Sequence, residues 1–138
     1  MDLIGPVSAD RFTLALRSTS QSVPTMKSAR RVVLADIPAS ARSSAYKLGI
    51  HHKNVAVDWD QLPFGIQRSQ LFGLPYPQIA LRVREVEILD FDTIGSHTFF
   101  VTRIASDLVV AEAPRFFHTS GIYQHFRTRN GYPFAAAP

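Results

Sequence analysis

Residues 11–17 alternate, with Phe12, Leu14 and Leu16 on one side and Thr13 and Ala15 on the other, the two-residue period of a half-buried strand. The polar run Ser18-Thr19-Ser20-Gln21-Ser22 follows, rich in N-cap candidates, and Pro24 suits a first helical turn because its missing N–H would have had no partner there. The pattern therefore predicts a short helix through Met26 and Lys27. Val32 to Ile37 is a β-branched run stopped by Pro38, which reads as a buried strand. From Ala39 to Leu48 the positions Ala41, Ala45 and Leu48 keep helical spacing and Gly49 supplies a stop. Residues 51–77 hold no sustained period and read as a long irregular excursion packed by Trp59, Leu62, Phe64 and Phe72. Strand character returns at Ile79, Leu81 and Val83, then continues in the other phase at Val86 and Ile88, so a β-bulge is expected at Arg84–Glu85. Thr98 to Ile104 is a further strand, with Ser106-Asp107 as the expected turn to a partner at 108–111. An aromatic stretch (Phe116, Phe117, Tyr123, Phe126, Tyr132, Phe134) closes the chain.

Strands outnumber helices and are separated by turn signals rather than by helical crossovers. The expected fold class is therefore mainly β with a few helices, an antiparallel closed or partly closed barrel in one domain over residues 1–138. At 138 residues the chain can bury about two thirds of its unfolded surface and needs no staple. It has no cysteine, which excludes iron–sulfur clusters, thiolate zinc sites, thiol nucleophiles and a disulfide scaffold. No apolar run reaches the ~20 residues of a membrane-spanning helix, and the first residues lack a basic, apolar leader, so a cytoplasmic chain without membrane contact is expected.

The net charge is +4, from 15 Lys+Arg against 11 Asp+Glu. Only Lys27, Arg30 and Arg31 form a dense basic group; the rest is scattered, as on a solvated surface, and a nucleic-acid partner is not expected. His51-His52 has no carboxylate at i+4, and the Thr119-Ser120-Gly121 between His118 and His125 is poor helix material, so no metal site is expected. Dinucleotide, triphosphate and nucleophile-elbow motifs are absent. Two segments stand out. Arg17-Ser18-Thr19-Ser20-Gln21-Ser22 runs from a strand into a helix N-terminus and combines free N–H groups, hydroxyls and a cation, which suits a phosphate monoester. Gly95-Ser96-His97-Thr98 places a histidine at the mouth of a strand. On the residues alone, helix capping and a hydrogen-bonded strand-end histidine account for them too.

The stretch 80–88 followed by Gly95-Ser96-His97-Thr98-Phe99-Phe100-Val101 resembles the core of the flavin reductase-like, FMN-binding split-barrel family. So do Ser22-Val23-Pro24-Thr25-Met26 leading to 33–38, the Gly73-Leu74-Pro75 turn, and His118 to Gln124; together they cover about residues 11 to 132. The resemblance implies an FMN-binding split barrel that forms a homodimer and passes hydride from NAD(P)H to flavin, in some cases for a partner monooxygenase. Carried over by position, Arg17, Ser18, Thr19, Gln21 and Ser22 would hold the phosphate and ribityl chain, with Arg30 or Arg31 adding charge. His97 would be the catalytic-site histidine near flavin or nicotinamide, and Tyr123 an aromatic beside the pocket. Most of the family's Asn-x-Met-Thr-like strand is expected to be absent here or reduced to residues 1–8, which predicts weaker flavin binding and an open sheet edge. The alternatives are a split barrel that binds flavin or another phosphorylated ligand without turnover, and an inactive fragment.

Overall fold

The computed structural model describes residues 3–45 and 58–116. The elements that lie wholly within them are, besides short 3₁₀ turns, β1 (Leu3–Ser8), β2 (Arg11–Arg17), α1 (Ser22–Ala29), β3 (Arg31–Asp36), β4 (Ile66–Arg68), β5 (Pro75–Pro77), β6 (Arg82–Ile94) and β7 (His97–Val109). Five of the strands form one antiparallel sheet in the order β1-β2-β7-β6-β3, and β4 and β5 form a small hairpin of their own. The N-terminal segment, expected to be missing or reduced to residues 1–8, pairs as edge strand β1. Its register slips at Val7, and Pro6 is tolerated because an edge strand leaves one row of backbone groups unpaired.

The alternation in β2 has a direct structural cause. Leu14 and Leu16 face a core shared with Val23, Ile88 and Phe100, onto which Met26, Val32, Leu34 and Phe91 pack. Helix α1 covers this face through Val23 and Met26. It ends at Arg30 in the left-handed conformation (φ 57°), whose N–H returns to Met26 O at 3.0 Å. That conformation is costly for a residue with a Cβ. The Arg30 guanidinium stacks 4.7 Å from the Phe91 ring centroid, which helps to hold it. On the opposite face, Tyr76, Ala80 and Val83 form a second cluster with Val33 and Ala35.

These two clusters explain the change of phase in β6. Val83 faces the β4–β5 hairpin, whereas Val86 and Ile88 face the side covered by α1, because each end of the strand is buried on a different face. A bulge is present, but one residue beyond the expected Arg84–Glu85, between Glu85 and Val86, and the extra residue is Ala105 on the partner strand β7. A second slip inserts Leu89 into β6.

Two expectations are corrected. Ser106 and Asp107 make no turn; β7 runs unbroken through them, because Ser106 pairs with Glu85 and Asp107 with Arg84 across the ladder. The Asp107 carboxylate is gripped by Arg82, whose Nε donates to Oδ1 at 2.7 Å, and this contact holds the acid below the ordinary carboxylate range. The turn of this hairpin is Gly95-Ser96 instead, with Gly95 at φ +60°, the residue that a two-residue type II′ loop demands at its first central position. The expected irregular excursion also contains order, a 3₁₀ turn at Trp59–Gln61 and the β4–β5 hairpin. Its buried anchor is Tyr76, whose hydroxyl donates to Gln67 Oε1 at 2.9 Å. The helix expected from Ala39 begins as a 3₁₀ turn and continues as helix over 42–45; its remainder lies outside the described residues.

Candidate functional site

The register of β2 on β7 assembles the site. Arg17 is the last residue of β2 and sits opposite His97, the first of β7; Ile94 of β6 sits opposite His97 in turn. Because side chains alternate along strands, Arg17, His97 and Ile94 share the face opposite α1. On that face Phe99 and Val101 continue the row along β7, with Val101 40 % and Ile94 63 % exposed. Ser96 Oγ lies 3.0 Å from His97 Nδ1, which limits rotation of the ring.

Beyond Arg17 the chain turns sharply. Ser20 N–H donates to Arg17 O at 2.8 Å and Val23 N–H to Ser20 O at 3.1 Å, bringing Arg17, Ser18, Thr19, Gln21 and Ser22 into one turn that opens α1. No side-chain hydrogen bond caps this helix at Gln21, and its first turn contains no acidic residue. The positive end of the helix dipole therefore meets no acidic side chain in its own first turn, while Val23 N–H is taken by Ser20 O and Pro24 has no N–H to offer. Ser18 is anchored from both ends: its N–H donates to Ser96 O at 2.9 Å, and its hydroxyl shares a hydrogen bond of 3.0 Å with Thr98.

The distribution of ion pairs singles out Arg17. Arg11, Arg82, Arg84, Arg103 and Arg115 each meet a carboxylate: Asp10, Asp107, Asp36, Glu87 and Asp36 again. Lys27 and Arg30 lie over the Phe91 ring. Arg17 is exposed and has no ion-pair partner among the described residues. Arg31 is not brought to this turn. It sits opposite Glu87, seven residues along β6 from Ile94 or roughly 20 Å, and its guanidinium stacks 5.2 Å from the Phe72 ring centroid. Tyr123 and the residues around it, like His51 and His52, lie outside the described residues. No group of three metal-ligating side chains occurs among the described residues, and no helix there is long and apolar enough to cross a membrane.

A third feature has no signal in the sequence. Glu85, only 2 % exposed, accepts from the N–H groups of Phe72 (2.7 Å) and Leu71 (3.1 Å), fastening the loop between β4 and β5 to the sheet. Burial raises its pKa, but hydrogen bonds from Ser69, the two backbone N–H groups and Ser106 outweigh this and leave it below the ordinary glutamate value. The cavity beside it, about 10 Å³ and lined by Ser69, Tyr76 and Ser106 among others, has room for one water at most. Glu85 is structural, whereas on the opposite end of the sheet Arg17 and Ile94 are exposed to solvent and His97 is half-buried.

No protein-family model and no curated sequence matches the chain. Solved structures do. An FMN-binding protein from Thermus thermophilus superposes with TM-score 0.68 and 24% identity, over 78% of this chain and 60% of that one. BorF, the flavin reductase component of a bacterial two-component tryptophan halogenase, gives 0.71 and 16%, over 81% of this chain and 71% of its own. A split barrel domain protein from Shewanella frigidimarina gives 0.70 and 10%, over 80% and 58%. The chain has the split-barrel fold of these proteins. This split barrel spans about three fifths of the Thermus and Shewanella chains.

Proposed function

We propose that this chain is an FMN-binding, flavin reductase-like oxidoreductase of the cytoplasm that works as a homodimer and takes its hydride from NAD(P)H. The observation that carries the reading is Arg17: an exposed arginine with no ion-pair partner among the described residues, leading into a hydroxyl-rich turn and the N-terminus of α1, on a split-barrel frame. The cation and the hydroxyl groups of this turn suit the phosphate end of FMN in charge and in chemistry. When bound, FMN supplies the redox chemistry, accepting hydride at its N5 atom.

The chain's own residues bind and orient. Arg17 gives a charge-assisted contact to the phosphate, and Thr19, Gln21 and Ser22 add donors along the turn. His97, across the ladder from Arg17, borders the reacting face and orients the nicotinamide there; no protein acid or base is required for hydride transfer itself. The exposed apolar positions Ile94 and Val101 on this face suit cover by a second protomer, which would exclude water from the reacting centre. BorF, as one component of a two-component system, supports a partner such as a monooxygenase that uses the reduced flavin.

Titration with FMN, followed by quenching of flavin fluorescence, tests the site. Arg17→Ala is expected to weaken FMN binding by about one to two decades, the worth of one charge-assisted contact. An unchanged dissociation constant would move the phosphate site away from this turn.

A further inference from the structure

The hydroxyl of Thr98 is fully buried at 0 % exposure, in a row of β7 where its neighbour across the ladder is Leu16 and the next inward residue is Phe100. A valine would fill that volume without a polar group to satisfy, so the hydroxyl must be matched to avoid a penalty. It is matched twice, sharing hydrogen bonds with Ser18 Oγ at 3.0 Å and Thr93 Oγ1 at 3.1 Å. One proton and two lone pairs allow Thr98 to serve both partners at once. The three hydroxyls thus tie the end of β2 to β7 and to β6. After the last ladder pair, Arg17 with His97, the turn is held to the β6–β7 hairpin by this chain and by Ser18 N–H on Ser96 O.

We infer that Thr98 is a positioning residue: acting through Ser18, its buried hydroxyl fixes the turn 17–22 and so sets the preference for a phosphorylated flavin. This rests on the turn being the phosphate site. Thr98 faces the α1 side of the sheet, whereas Arg17 and His97 face the other, so it touches no ligand held there. Donors placed to bind a phosphate tolerate only small displacements, which is why an anchor one contact removed from the ligand matters.

The test compares FMN with riboflavin, which has the same ring and ribityl chain but no phosphate. Wild type is expected to bind FMN more tightly. Thr98→Val is expected to weaken FMN binding about tenfold and leave riboflavin binding within about twofold, while Thr98→Ser restores the wild-type ratio. Equal losses for both flavins in Thr98→Val, or a ratio that stays at the wild-type value, would overturn the inference. If wild type itself does not distinguish the two flavins, the phosphate reading of the turn fails, and this inference falls with it. Should Thr98→Val not fold, Thr93→Val at the exposed end of the chain is expected to reduce the FMN preference about threefold, and an unchanged preference there contradicts the inference.

Discussion

Glu85→Ala is expected to lower the free energy of unfolding by about 3–5 kcal/mol, the worth of two charge-assisted backbone hydrogen bonds after relaxation. The substitution leaves the N–H groups of Leu71 and Phe72 without their acceptor and frees the loop that carries Gly73 (φ +66°). Glu85→Gln keeps the volume and one carbonyl acceptor, so about half that loss is expected. The effect depends on pH. Because the native pKa is depressed, the carboxylate's contribution is complete above the ordinary glutamate value of 4.5 and is withdrawn as pH falls below it through the native value. Asp107, depressed by its hydrogen bond from Arg82, loses its contribution in the same acid direction. Urea unfolding at neutral pH and again in acid measures both parts. A Glu85→Ala variant within 1 kcal/mol of wild type at neutral pH would remove Glu85 from its place as the fastening between hairpin and sheet.

Phe100→Ala is expected to cost about 3–5 kcal/mol for a different reason, a cavity in the centre of the core. Phe100 is fully buried, lies opposite Leu14 on β2 and Phe91 on β6, and its ring centroid is 5.9 Å from that of Phe91. Its neighbour Val101 points to the other face and is 40 % exposed, so Val101→Ala should stay within about 0.5 kcal/mol. Equal losses at the two positions would contradict the assignment of faces on which the site at Arg17 and His97 depends.

Local pattern made much of the frame legible. The alternation of 11–17 matches β2 to the residue, and the turn 18–22 and the glycine at 95 mark the two ends of the structure that meet at Arg17 and His97. What escaped depends on partners distant in sequence. Ser106-Asp107 has turn composition, and only the ladder shows that Glu85 and Arg82 hold both residues in strand β7. Glu85 enters the sequence reading only as part of the expected bulge, since the backbone donors that bury it come from a loop 13 and 14 residues earlier. Tyr76 sits between two prolines, which hides a strand, and packs on Ala80 and Val83 all the same. Arg31 is near Arg17 in composition and charge but not in space, because β3 lies at the far edge of the sheet, beyond β7 and β6. Thr98 was visible as part of Gly95-Ser96-His97-Thr98, but its burial and its bond to Ser18, 80 residues away, were not.

The proposed reaction is hydride transfer to a flavin held at the turn 17–22. Purified protein loaded with FMN, kept free of oxygen and mixed with NADH or NADPH, tests it most directly through the visible absorption of the flavin. Rapid loss of that absorption, with return on admitting oxygen, is the predicted result. Flavin that stays bound and coloured with both nicotinamides would contradict the reductase reading.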